Sequence, residues 1–170
     1  MNMRPGLALA CLLAPAIATA SYDAPSDSPG IFGWIEWVEV GEGEQRHRMK
    51  GKLDSGALTS SLDARGIDEF RRDGNRWVRF ELHDRESGDV TEVERPVKRV
   101  VRIVRHSGNH QRRPVIEWDL CLGDTLHTVE FTLVDRSNFN YPVLLGRRAL
   151  DGYALIDSGE TYLRDAACGS

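Results

Sequence analysis

Hydrophobic and polar residues alternate with period two along much of the chain. In "RWVRFELH" (76–83) Val78, Phe80 and Leu82 share one face, while Arg79, Glu81 and His83 take the other. "VIEWDLCL" (115–122) groups Ile116, Trp118, Leu120 and Leu122, and "HTVEFTLV" (127–134) groups Val129, Phe131 and Leu133. Such alternation marks strands with one buried face, because successive side chains leave opposite sides of the pleat. Turn-forming clusters fall between them: "RRDGN" at 71–75, "RESGD" at 85–89, "HSGNH" at 106–110 and "LGDT" at 122–125. Several strands at this short spacing predict an all-β barrel or sandwich. The best short helix is "GRRAL", Gly146 to Leu150.

The first twenty residues stand apart from this pattern. Arg4, the apolar "LALACLLAPAIA" and the small-x-small Ala18-Thr19-Ala20 read as a signal peptide, since the apolar run is too short to span a membrane. Export with cleavage near Ala20 is expected, to the periplasm or outside the cell; lipidation at Cys11 would be the alternative. Residues 21–30 are polar and rich in Pro, Ser and Gly, as in a flexible leader. What remains suits one domain with one core, placed at 31–165, with 166–170 as a tail. Export would leave Cys121 and Cys168, which an oxidising compartment permits to pair; spacing alone does not decide it.

Net charge of −4 hides an asymmetry. From Arg95 to Ile116 there are seven Lys or Arg residues and no acid. A solvated strand face accounts for such a run as readily as a binding surface does. The acidic remainder and the export signal argue against nucleic acid, whose affinity comes from phosphate neutralisation.

One tripeptide recurs. "LDSGA" places Asp54 before Ser55, Gly56 and Ala57, and "DSG" returns at Asp157 to Gly159. A carboxylate followed by two small residues suits a tight, approachable loop. Two such loops face to face would bring two carboxylates together to share one proton, since both cannot ionise at close range. That pair can activate water and protonate a leaving group. "YPVLLGRRAL", Tyr141 to Leu150, adds an apolar run ending in Gly146-Arg147.

With those two segments in this order, the chain resembles the retropepsin-like aspartic peptidases. It looks more closely like the bacterial, RimK-associated group named "ATP-dependent zinc protease", which is linked with ATP-grasp glutamate ligases. The resemblance runs from about Ile31 to Leu163. It implies a small closed β-barrel, with one short helix near the C-terminus. It also implies a catalytic loop of Asp54, Ser55 and Gly56, supported from beneath by Gly146 and Arg147. Ala57, Arg102 and Arg105 are the expected substrate contacts, with "VKRVVRIVRHSGNHQRRPVIEWDLCL" as a flap that turns at 107–111. Where viral enzymes carry acidic residues after the motif, Leu58 and Thr59 stand here, so Arg147 must find another partner.

Only eleven residues follow Gly159, too few for a second catalytic lobe. Asp157 is therefore read as decoration in a terminal β-hairpin, with Ile156 and Leu163 packed and Ser158-Gly159 turning. One aspartate per chain implies a homodimer with its site on the two-fold axis. The expected function is an exported aspartic endopeptidase on peptide substrates, acidic ones among them, working with an ATP-grasp glutamate ligase. An inactive peptide-binding module is the alternative. A zinc hydrolase, as the group's name suggests, has less support, because there is no H-E-x-x-H and His106 and His110 flank a turn. No G-x-x-x-x-G-K-[ST] loop offers ATP a seat, so no cofactor is expected.

Overall fold

The computed structural model describes residues 28–43, 45–104 and 110–169. The signal segment, most of the leader, Arg105 and most of the flap turn lie outside the described residues. The chain forms β1 (Gly30–Gly33), β2 (Ile35–Glu42), β3 (Gln45–Leu53), β4 (Ser60–Asp63), β5 (Arg65–Arg72) and β6 (Asn75–His83). There follow β7 (Val90–Pro96), β8 (Arg99–Val104), β9 (His110–Leu122), β10 (Thr125–Val134), β11 (Val143–Leu145), α1 (Arg147–Leu150) and β12 (Ala154–Asp157).

Strands β10, β4, β11, β3, β2 and β9 neighbour one another in that order, and β9 pairs back onto β10. The result is the closed all-β barrel expected, with β8 added outside β9. Closure leaves none of these six strands with an open edge, and the inward faces fill the middle. Val38, Val40, Leu62, Ile116, Leu120, Phe131, Leu133 and Leu145 are buried there. Each alternating stretch identified in the sequence turns its apolar face inward.

Strands β5, β6 and β7 form a separate antiparallel sheet. Asp73 and Gly74, both at positive φ, make the two-residue turn joining β5 to β6, the geometry that suits the right-handed twist of a hairpin. Val78, Phe80 and Leu82 bury its inner face, and the Phe80 ring meets Trp118 edge to face at 6.3 Å.

The C-terminal segment departs from the expected hairpin. β12 runs parallel to β1, with Ile31 opposite Leu155, and Ser158-Gly159 does not return the chain along β12. Instead the chain crosses to the start of β2, where Trp34 donates to the Glu160 carbonyl and Tyr162 to that of Ile35. Leu163 is 45% exposed rather than packed, while Ile156 lies against the core. The cause lies in β2. Glu36 shares the inward register of Val38 and Val40, and a buried carboxylate must find donors. It takes the amides of Gly33 at 2.6 Å, Leu163 at 3.0 Å and Arg164 at 3.2 Å, which holds the terminal segment in place.

The expected tail is fastened too. Ala167 donates to the Gly123 carbonyl, and Cys168 is joined to Cys121 by a disulfide. Among the described residues no helix is long and apolar enough to cross a membrane.

Candidate active site

Asp54 follows β3 directly. Its amide donates to the Leu145 carbonyl at 2.9 Å, so β11, parallel to β3, sets the point where the loop leaves the sheet. The carboxylate turns back over its own loop: Oδ1 accepts the Gly56 amide at 3.0 Å, and the Asp54 carbonyl accepts that of Ala57 at 3.1 Å. A Cβ on Gly56 would stand 3.1 Å from Oδ1. The small residue there keeps the carboxylate approachable.

The apolar-Gly-Arg segment lies against this loop. Arg147 donates its amide to the Ala57 carbonyl at 2.9 Å, and Arg148 donates to Leu58 at 3.2 Å. Gly146 donates to the Ser60 hydroxyl at 3.1 Å. The Arg147 guanidinium reaches the carbonyls of Ser55 at 2.8 Å and Gly56 at 3.2 Å. Two backbone carbonyls thus stand where an acidic side chain was absent from the sequence. Asp54, Ser55, Gly56, Ala57, Gly146 and Arg147 come together as one unit.

Asp157 repeats the local geometry without the surroundings. Its Oδ1 accepts the Gly159 amide at 2.9 Å, the same aspartate turn as at Asp54. It ends β12 of the two-stranded sheet, and among the described residues no Gly-Arg segment supports it.

Sequence reasoning missed Lys52. Its Nζ lies 3.1 Å from Asp54 Oδ2. Lys52 is on β3 and Asp54 lies just past its end, two positions on, so carrying the strand's alternation one step further could have found the pair. Burial works against the ionised Asp54 carboxyl. The Lys52 hydrogen bond, the Gly56 amide, the Lys52 charge and the Ala57 amide outweigh it and hold the group below its ordinary range. A groove of about 470 Å³ opens beside Asp54, lined by Trp34, Lys52, Phe139, Asn140 and Tyr141 among others. Trp34 and Tyr141 meet edge to face at 6.0 Å along it. On the other side of the loop a second groove is lined by Ser55, Leu58, Arg147, Leu155 and Ile156.

Arg102 belongs to a different part of the molecule. It sits on β8, directly opposite Arg112 of β9, in a hairpin whose described residues line neither groove. Both side chains are exposed, and like charges facing across strands disfavour the pairing unless an anion intervenes. Among the described residues no three His, Cys, Asp or Glu side chains converge as a metal-ligand set.

Comparison with known proteins follows the same line. Residues 31–167 match the RimB-like family model, described as retropepsin-like aspartic endopeptidase RimB. A "Probable alpha-L-glutamate ligase" of Desulfotalea psychrophila is 40% identical over 143 residues, covering 81% of this chain and 29% of the ligase. One of the same name from Parasynechococcus marenigrum is 38% identical over 129 residues, covering 75% of this chain and 28% of that protein. The chain therefore spans less than a third of those relatives. A Legionella pneumophila protein of unknown function (DUF785) superposes with a TM-score of 0.67 at 31% identity, covering 80% of this chain and 98% of that one. The chain belongs to the RimB-like family of retropepsin-like aspartic endopeptidases.

Proposed function

We propose that the chain is an exported homodimeric aspartic endopeptidase whose site is formed by Asp54 from each of two copies. The observation that carries the reading is the Asp54 loop held by Gly146 and Arg147, present once per chain. In the dimer the two carboxyls share one proton. The ionised one takes a proton from a bound water as that water attacks the peptide carbonyl, and the protonated one gives its proton to the departing amine.

Two features support a dimer. Ile31, Leu58 and Leu155 are each at least half exposed, and Leu58 and Leu155 line the groove beside Ser55. The β1–β12 sheet has two strands among the described residues, and such a sheet can be extended by a second copy. The N-terminal segment and the Cys121–Cys168 disulfide support export. The facing Arg102 and Arg112 on the flap hairpin, with ligases among the relatives, favour peptides rich in acidic residues. A functional link to an ATP-grasp glutamate ligase fits the same pattern.

A second reading, a binding module without turnover, is favoured by the Lys52–Asp54 ion pair, which occupies the carboxylate in the single chain. A diverse peptide library screened across pH separates the two. Cleavage by the wild type and none by Asp54→Asn supports the peptidase; binding without cleavage by either sinks it.

A further inference from the structure

Lys52 occupies the oxygen of Asp54 that the loop leaves open. Oδ1 is bound by the Gly56 amide, and Oδ2 faces the Lys52 ammonium at 3.1 Å. A carboxyl that shares a proton with a partner copy needs that second oxygen. An ammonium beside it favours the ionised form and opposes proton sharing. The pair is also easy to part: Lys52 is 38% and Asp54 26% exposed, a setting in which ion pairs are weak.

The other described charges near Asp54 are already committed. Arg147 of α1 is bound to the carbonyls of Ser55 and Gly56. Arg136, after β10, lines the same groove but donates to the Ser61 hydroxyl at 2.8 Å and the Tyr141 carbonyl at 3.1 Å, and stacks on Phe139. Tyr141 adds a phenol to the groove, and β11 contributes Leu144, which carries no charge. Among the described residues, Lys52 is the cation in this groove that can exchange Asp54 for a ligand carboxylate.

We propose that Lys52 is a positioning residue that couples substrate charge to the protonation of Asp54. In the free protein it keeps Asp54 ionised. When an acidic side chain of the peptide enters the groove, Lys52 turns to it, and the released Asp54 pair takes up one proton from solvent. The inference rests on the peptidase reading above and adds a resident inhibitor that the substrate's charge removes. Neutral peptides leave the latch closed.

Two measurements test it. Turnover of paired peptides differing by Glu or Gln near the scissile bond is followed against pH in wild type, Lys52→Met, Lys52→Gln and Lys52→Arg. Carbon NMR titration of the Asp54 carboxyl is run on the same proteins, with and without a non-cleavable Glu peptide. Removing the cation should raise the Asp54 titration, and with it both limbs of the activity profile, by about one pH unit. The Glu-over-Gln preference should fall by about tenfold, the coupling that one unit of titration represents. Lys52→Arg should keep both. In wild type the Glu peptide alone should raise the titration, while the Gln peptide should not. An Asp54 titration unmoved in both Lys52→Met and Lys52→Gln overturns the inference, as does an unmoved wild-type titration under saturating Glu peptide. The expected titration shifts without cleavage by any variant would uphold the coupling and remove the peptidase reading instead.

Discussion

Gly146 and Thr59 pack backbone to backbone: a Cβ on Gly146 would stand 2.6 Å from the Thr59 carbonyl oxygen. The glycine has an ordinary extended conformation (φ −90°, ψ 173°), so closeness rather than backbone freedom requires it. Gly146→Ala should cost about 1–3 kcal/mol by forcing the two segments apart. Thermal unfolding checks the loss. Activity should fall further than stability, because the displaced segment is the one that holds the Asp54 loop.

The two aspartate turns give a sharp contrast. Asp157→Asn should leave cleavage nearly intact, since only its own loop depends on it. Chains carrying Asp54→Asn mixed with wild type should form heterodimers without activity. An inactive Asp157→Asn protein that remains folded would move the chemistry to the other loop.

Self-association should depend on the apolar surface beside Ser55. Leu155→Asp or Leu58→Asp should shift sedimentation toward the monomer and make activity fall faster than protein concentration on dilution. A fully active monomer would defeat the shared site.

Stability should decline on acidification. Burial pushes the His127 imidazole below its ordinary value of 6.5, although its bond to the Ala149 carbonyl and the charge of Asp119 pull the other way. The unfolded chain therefore binds that proton more tightly. The contribution is fully present above about pH 6.5 and is lost as pH falls below it. His47, also depressed chiefly by burial, acts in the same direction. Urea midpoints should drop between about pH 7 and 5, with a shallower slope in His127→Phe, whatever its absolute stability.

Acidic peptides should be cleaved faster than neutral ones at low salt, with the advantage shrinking as ionic strength rises. Arg102→Ala should reduce that advantage at low salt by lowering the encounter rate. Equal rates for acidic and basic peptides would return the hairpin arginines to a solvated strand face.

The parts legible in the sequence were those governed by local rules. Alternation located Val78, Phe80 and Leu82, and Asp73-Gly74 located a turn, because both depend on neighbours along the chain. The pairing of Asp54 with the Gly-Arg segment was legible through a family resemblance, which carries non-local information. Glu36 shows what local reading loses. Its inward register beside Val38 and Val40 could be read, but its donors at Leu163 and Arg164 lie more than 120 positions away. The terminal segment was misread as a hairpin for the same reason: the competing partner, β1, is at the other end of the barrel sequence. Lys52 carried a local signal as well, standing two positions before Asp54, on the strand side of a motif defined by the residues that follow the aspartate.

The Arg147–Ser55 contact joins residues 92 positions apart, and β11 closes the barrel by running parallel to β3. Contacts of that kind form late and slowly, since a long loop must close before they are gained. During synthesis the Asp54 loop is made early but has nothing beneath it until β11 and α1 emerge. A growing or translocating chain therefore carries the acid without a site around it. On the peptidase reading proposed above, hydrolytic competence would arrive only with the finished barrel, sparing the producing cell a protease active on the ribosome.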